Sequence, residues 1–179
     1  MKRLALTAIG HDRPGIVAAV TKALFDHSCN IEDSSMTILQ NEFSMILITE
    51  APADIDTEVL QYDLKVAGAK VGLTINIKEM PPKPSRTACH PTHILSVTGA
   101  DKSGIIFRTS ELLAQWEINI TDLSTKILRI KDKDVYIMMM EVFLPAGLDR
   151  ASFAERLDTL AKALGIEISM KEIDRCERL

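Results

Sequence analysis

A short motif that could bind an anion occurs twice in the sequence. The first copy, GHDRPGIVAAV, begins at Gly10, and a looser copy, GADKSGIIFRT, begins at Gly99. Each copy has a glycine, an acidic residue and a second glycine at the same spacing. A loop of this kind that leads into a helix presents free N–H groups and the positive end of the helix dipole, and together these favour a carboxylate. The pattern differs from the phosphate-binding P-loop.

The residue types within the first copy suit the start of a helix. Gly10 permits unusual backbone angles, and Gly15 lets another group approach the first helical turn closely. Asp12 can cap the helix, or Arg13 and Pro14 can take the cap and first-turn positions, and the sequence leaves both arrangements open. An ordinary helix start without a ligand explains the same residues.

Two asparagines recur at equivalent positions in the two copies. Asn30 and Asn119 each precede an isoleucine, Ile31 or Ile120, that opens the predicted second strand of its half. An asparagine side chain offers both a hydrogen-bond donor and an acceptor, although helix C-capping is its simpler role. An amino acid carries a carboxylate and an ammonium, so helix amides together with Asn and Asp complement both of its ends.

The predicted ligand is therefore a small amino acid, with glycine or serine first because the loop offers little room and no aromatic wall. The predicted ligand-binding residues of the first half are Gly10, Asp12, Arg13, Pro14, Gly15, Ile16, Asn30 and Ile31. Those of the second half are Gly99, Asp101, Gly104, Ile105, Asn119 and Ile120.

The other candidate groups of reactive side chains do not predict a metal site or a nucleophile. Cys89, His90 and His93 cluster in CHPTH, but three ligands in a linker without a CxxC or HExxH frame do not make a zinc site. Cys29 and His27 could form a nucleophile and its base, but at a helix end their side chains point in different directions. A packed cysteine and a surface histidine is the better interpretation.

The repeated acids and the composition narrow the function further. Asp33 and Asp122 recur at matching positions without an acid–base partner, so we predict a protein that is not an enzyme and has no metal or cofactor.

A net charge of −4 argues against direct nucleic-acid binding, because such a surface concentrates Lys and Arg. The N-terminus reaches the charged run His11–Arg13 too soon for a signal-peptide core, and no stretch reads as a membrane span. Three irregularly spaced cysteines predict no disulfide framework and a cytoplasmic protein.

The motif belongs to a longer internal repeat. A shift of 89 positions also places Leu24 on Leu113 and Ile38 on Ile127 without a gap. Between the copies, MPPKPSRTACHP contains four prolines and little that could be buried. We therefore predict two homologous domains, at residues 1–80 and 92–179, joined by a proline-rich linker at 81–91.

Both halves show the same order of predicted elements. An apolar strand ending in glycine leads into an amphipathic helix, two strand-like runs form a hairpin, and a second helix and a final strand follow. In the second half Phe153, Leu157 and Leu164 keep helical spacing, and Gly165 takes the C-cap position. The order β-α-β-β-α-β predicts an α+β fold of two tandem ferredoxin-like domains. Each is a four-stranded antiparallel sheet with two helices on one face.

The third strand of each half predicts a buried outer face. FSMILIT and VYIMMMEVF are apolar at both alternating sets of positions, whereas a strand with one wet face should alternate. We expect the other domain or a second chain to cover this face, and a homo-oligomer is one such assembly. The alternative is that Met138–Met140 are core and edge filler.

The pieces DRPGIV and NIED, together with the order of elements, resemble the ACT domain, a small module that binds amino acids and regulates enzymes or transcription. A chain of two such domains resembles the glycine cleavage system transcriptional repressor family. The N-terminal part is also similar to the ACT portion of formyltetrahydrofolate deformylases, but a second ACT copy occupies the place of their catalytic domain. The second copy departs from the pattern, with Lys102 and Ser103 where the first has Arg13 and Pro14.

The resemblance implies a regulator that has no DNA-binding element of its own and that binds a DNA-binding activator, with glycine as the signal. The sequence agrees on the absence, because no helix-turn-helix pair can be spared from the two predicted domains. Two other functions stay open: a structural or interaction module with vestigial ligand sites, and a regulatory subunit of a metabolic enzyme.

Overall fold

Strands and helices follow one another in both halves as predicted, as a computed structural model of the chain shows. It describes residues 1–81, 90–130 and 132–173. The chain divides into two compact units, Met1–Arg86 and Thr87–Leu179. Residues 82–89 of the predicted linker at 81–91 lie outside the described residues, so its extended form stays a prediction.

The first unit contains four strands and two helices within the described ranges. They are β1 Lys2–His11, α1 Ile16–Asp26, β2 Asn30–Leu39, β3 Glu42–Ala51, α2 Thr57–Lys70 and β4 Leu73–Glu79. The strands form one antiparallel sheet in the order β2-β3-β1-β4. This is the spatial order of a ferredoxin-like domain, in which each helix connects strands that are not consecutive neighbours.

The second unit repeats this arrangement. Its elements are β5 His93–Gly99, α3 Ile105–Gln115, β6 Asn119–Ile130, β7 Lys133–Phe143, α4 Arg150–Leu164 and β8 Ile166–Glu172. The sheet order is β6-β7-β5-β8, again antiparallel throughout. The prediction of two tandem ferredoxin-like domains is confirmed. No helix in the described part of the chain is long and apolar enough to cross a membrane.

Alternate residues of the central strands form the core of each unit beneath its helices. In the first unit Phe43 and Leu47 of β3 are buried together with Leu24 of α1. In the second unit Met140 of β7 packs in one buried cluster with Phe153 of α4. Side chains alternate along a strand, so each core lies between one face of its sheet and the helix layer.

The opposite face of each sheet carries exposed apolar side chains. Ile46 of β3 is 51% exposed and Met139 of β7 is 45% exposed. Met138 and Met140 are fully buried, so the methionine run is core filler at those two positions and outer-face surface at Met139. A domain or second chain that covers the outer face stays a prediction.

Candidate functional site

Helices α1 and α3 both begin without a capping side chain. Their N-cap residues are Gly15 and Gly104, and each adopts a left-handed φ of 91°. The first-turn amides of a helix have no intrahelical acceptor. In α1, therefore, no cap side chain satisfies the N–H groups of Ile16, Val17 and Ala18. These donors and the positive end of the dipole form a point that favours a carboxylate.

The other two helices in the described ranges begin differently. Asp56 caps α2 and Asp149 caps α4, and each carboxylate accepts hydrogen bonds from two first-turn amides. Both arrangements that the sequence left open for α1 are wrong, because the cap is Gly15 rather than Asp12, Arg13 or Pro14. The left-handed turn at Gly15 leaves those three residues outside the helix. The Asp12 amide instead donates to the carbonyl of Asn41 at 2.8 Å, which ties the loop to the β2–β3 turn.

The structure requires glycine at Gly10 and Gly15 for the opposite reasons from those predicted. Gly10 does not adopt a positive φ, but a Cβ there would overlap the carbonyl oxygen of Gly72. A Cβ at Gly15 would meet no atom within 4 Å, but the φ of 91° at that position requires glycine. Gly99 and Gly104 repeat this division, since a Cβ at Gly99 would lie 2.7 Å from Ile166 Cγ2. Close packing explains the first glycine of each pair, and backbone angle explains the second.

The basic residue of each loop reaches the end of the second helix of its unit. The Arg13 guanidinium lies against Gly72, just after the end of α2. Its Nη2 and Cζ atoms occupy the space that a Cβ at Gly72 would need. Lys102 Nζ donates to the carbonyl of Leu164 at 2.8 Å, at the C-terminal end of α4. A cation is favourable there because the last carbonyls of a helix carry the negative end of its dipole. Arg13 therefore has a structural role beside any ligand contact.

The asparagines lie far from the loop of their own unit. Asn30 pairs with Glu50 of β3, whereas Gly10 pairs with Phe43, seven residues along the same strand. At a rise of about 3.4 Å per residue, the two positions are roughly 23 Å apart along the sheet. Asn119 and Gly99 repeat this separation, since their partners on β7 are Phe143 and Tyr136. One unit alone therefore does not bring its loop and its asparagine into one pocket.

Helix C-capping does not explain the asparagines either. The left-handed residues after α1 and α3 are Ser28 and Glu117, with φ of 54° and 55°. The following amides close each helix end, and Cys29 N–H donates to the carbonyl of Leu24 at 2.9 Å. This is the geometry of a Schellman motif. Asn30 and Asn119 instead begin exposed strands, where their side chains are available to a ligand or partner.

The isoleucines of the predicted site differ in their exposure. Ile16 and Ile105 are 3% and 1% exposed and belong to the two cores, so only their backbone amides face outward. Ile31 is 38% exposed on β2, and Ile120 packs partly against the core of its unit. Asp12 and Asp101 are exposed in their loops, as are Pro14 and Ser103.

A cavity of about 340 Å³ lies beside the second loop. Its lining consists of Thr98 and Gly99 at the end of β5 and of Gly165, Ile166 and Glu167 at the start of β8. Gly99 is a predicted site residue, but the residues from β8 were missed. Their signal in the sequence was Gly165, which marks the helix end that delivers β8 to this place.

Both units enclose side-chain hydroxyls that have no hydrogen-bond partner in the described structure. They are Thr49 Oγ1 in the first unit, and Thr109 Oγ1 and Tyr136 Oη in the second. Tyr136 pairs with Gly99 as Phe43 pairs with Gly10, so the two units differ there by one hydroxyl. Burial raises the pKa of Tyr136, and the negative charge of Asp101 raises it further. The hydroxyl therefore stays protonated as a potential donor near the second loop.

The structure favours no nucleophile or metal cluster at the other candidate positions. His27 Nε2 lies 2.8 Å from Asp63 Oδ2, so the imidazole is engaged by α2 rather than by the Cys29 sulfur. Burial raises the pKa of Cys29, which disfavours the reactive thiolate. Cys89 lies outside the described residues. Within those residues, no three His, Cys, Asp or Glu side chains are placed to hold a metal ion.

Comparisons with known proteins agree with the fold of the two units. Residues 2–78 match the family model of the ACT domain. A UPF0237 protein of Methanopyrus kandleri is 38% identical over 79 residues, which cover 44% of this chain and 88% of that relative. The glycine cleavage system transcriptional repressor of Escherichia coli K12 is 27% identical over 173 residues, 96% of this chain and 90% of the repressor. A solved protein of unknown function from Galdieria sulphuraria has a TM-score of 0.78 at 25% identity, with 96% and 98% of the two chains covered.

Proposed function

The chain belongs to the ACT domain family, and on that premise we propose that it is a non-enzymatic regulator that senses a small amino acid. The observation that carries the proposal is the pair of uncapped helix starts at Gly15 and Gly104. The fold caps its other two described helices with aspartates, so the open starts are particular to the repeated motif. They leave oriented N–H donors where an anionic ligand would bind.

In the proposed complex, the ligand carboxylate accepts hydrogen bonds from the first-turn amides of α1 or α3. The exposed carboxylate of Asp12, or of Asp101 in the second unit, neutralises the ammonium. The loops have no aromatic residue, which favours glycine or serine over larger amino acids. Asn30 and Asn119 lie too far from the loop of their own unit to contact this ligand, so the proposed site consists of the helix amides and the aspartate of one unit.

We propose that the protein acts on transcription by binding a protein partner. A relative that spans both units is a transcriptional repressor by name. A net charge of −4 disfavours direct binding to the phosphate backbone of DNA. A DNA-binding activator is therefore the proposed partner. The exposed outer faces around Ile46 and Met139 offer apolar surface for such a contact or for a second copy of the chain.

Calorimetry with a panel of amino acids on the full chain tests the sensing role. We expect glycine or serine to bind with an affinity in the millimolar range or tighter. Asp12→Ala and Asp101→Ala together should remove the partner of the ligand ammonium, a hydrogen bond to a charged group worth about 1.5–3 kcal/mol, and so weaken binding roughly ten- to a hundredfold. Asn30→Ala and Asn119→Ala should leave binding at the loops unchanged, because each asparagine is distant from the loop of its own unit. Asn76→Ala, an exposed asparagine on β4, is the matched control.

Thermal unfolding of each variant must accompany the titrations, since a less stable fold also binds less. If no amino acid binds, the sensor proposal fails, and an interaction module with vestigial sites or an enzyme's regulatory subunit takes its place. If an amino acid binds but the aspartate variants bind it as the wild type does, or an asparagine variant binds it more weakly than the Asn76→Ala control, the ligand does not lie at the loops.

A further inference from the structure

A second pocket lies in the Thr87–Leu179 unit, at the end of the sheet opposite the Gly99 loop. Its volume is about 320 Å³, and its lining includes His93, Phe143, Leu148, Arg150 and Glu172. His93 and Gly99 are the first and last residues of β5, six positions apart, which is roughly 20 Å along a strand. The pocket is therefore separate from the proposed loop site.

His93 is the buried polar group of this pocket, with 4% of its surface exposed. Its Nδ1 lies 2.9 Å from Thr92 Oγ1, and that hydroxyl also accepts a hydrogen bond from the Leu144 amide at 3.0 Å. The other ring nitrogen, Nε2, has no partner among the described residues and is not fully enclosed. Since His93 lines the pocket, Nε2 is the atom that it offers to a bound molecule.

The charges at the rim are one cation and one anion. Arg150 Nη1 lies 3.7 Å from Glu172 Oε2, and both side chains are more than half exposed, at 63% and 65%. Glu172 is the direct cross-strand neighbour of His93. Burial lowers the pKa of His93, Arg150 lowers it further, and Glu172 opposes them. The imidazole is therefore neutral at pH 7, and the two rim charges cancel.

The first unit keeps the glutamate, as Glu79, but lacks the histidine and the arginine at the equivalent, described positions. Leu4 pairs with Glu79 as His93 pairs with Glu172, so a leucine replaces the histidine. Arg150 is the first residue of α4, directly after its capping aspartate, and Thr57 takes the same position in α2. The same fold thus accepts leucine and threonine at these two places, and the histidine and arginine of the pocket are particular to the second copy.

We propose that this pocket binds an α-amino acid with an apolar side chain, at a site independent of the loops. The carboxylate binds the Arg150 guanidinium, whose paired N–H groups match its two oxygens. The ammonium binds Glu172, and His93 Nε2 adds one hydrogen bond. The apolar side chain packs against Phe143, Leu144 and Leu148, and a zwitterion of zero net charge matches the balanced rim.

The test is an NMR titration of the full chain with L-leucine, followed through the imidazole signals of its four histidines. His93→Leu identifies the His93 signal by its loss. We expect L-leucine to shift that signal in a saturable way, whereas acetate and methylamine, which each carry half of the zwitterion, shift it much less. Arg150→Thr should weaken the leucine response at least tenfold, and Arg156→Thr, an exposed arginine on the same helix, should not change it.

The proposal is overturned if saturating L-leucine leaves the His93 signal unmoved, or if Arg150→Thr and Arg156→Thr respond alike. Arg150 is exposed, so its replacement tests the pocket even where His93→Leu unfolds the unit. Glycine binding at the loops should leave the His93 signal in place and should survive Arg150→Thr. Failure of the loop proposal and failure of this one are therefore distinguishable.

Discussion

Replacing Gly99 with alanine should destabilise the second unit through a single steric contact. A Cβ at this position would lie 2.7 Å from Ile166 Cγ2, 3.1 Å from its Cβ and 3.2 Å from its Cα. Overpacking of this kind costs about 1–3 kcal/mol. Alanine recovers about 0.5–1 kcal/mol because it loses less backbone freedom than glycine on folding. The expected net loss of unfolding free energy is therefore centred on about 1 kcal/mol and is at most about 2.5 kcal/mol.

Trp116, the single tryptophan of the chain, reports this unit without interference from the first. It lies at the end of α3 with its ring centroid 5.5 Å from that of Phe153, so its fluorescence should follow urea unfolding of the second unit. Ile166→Leu removes the Cγ2 methyl, so the double variant should recover part of the unfolding free energy that Gly99→Ala loses. In a double-mutant cycle this recovery is a coupling energy of about 1 kcal/mol. Gly104→Ala should cost about 1–2 kcal/mol by backbone strain alone and should gain nothing from Ile166→Leu. A Gly99→Ala protein as stable as the wild type, or a cost that Ile166→Leu leaves unchanged, would refute the close-packing explanation.

Three further perturbations test other parts of the account. The folded pKa of His93 lies below its ordinary value of 6.5, so the unfolded chain takes up the proton first as pH falls. The unfolding free energy should therefore be unaffected by this group above about pH 6.5 and should fall as the pH drops below it. His93→Leu should flatten that fall when urea unfolding is followed from about pH 8 to about pH 5. Lys102→Met should cost about 0.3–1 kcal/mol by removing the bond to the Leu164 carbonyl, whereas Lys171→Met on β8 should cost less in the same assay. Isolated residues 1–80 and 92–179 should self-associate or melt below the full chain, because each exposes its apolar outer face; two monomeric halves of unchanged stability would show that nothing needs to cover it.

The order of elements was predictable because it depends on local pattern and on the repeat. Helical spacing in α4 identified buried residues such as Phe153 and Leu157, and the repeat supported the same order of elements in the first half. The N-caps Asp56 and Asp149 also follow local rules, since each carboxylate bonds to amides two and three residues ahead.

The candidate site was less predictable because its geometry depends on distant pairings. Gly10 is required by Gly72, which is brought beside it only when β4 joins β1. The roughly 23 Å between the loop and Asn30 follows from the register of β3, which no local pattern specifies. The His93 pocket draws on four separate elements, β5, β7, α4 and β8, and its signals in the sequence were the departures of His93 from Leu4 and of Arg150 from Thr57 between the copies.

The most direct test of the central proposal is a glycine titration followed by the backbone amide signals of the full chain. The account predicts saturable shifts at Ile16, Val17 and Ala18, or at Ile105, Ile106 and Phe107 in the second unit, where the helix starts are open. The amides of Glu58 and Val59, which Asp56 already caps, should stay in place. Saturable binding of glycine that moves the capped amides as much as the open ones, or no shift at either open start, would contradict it.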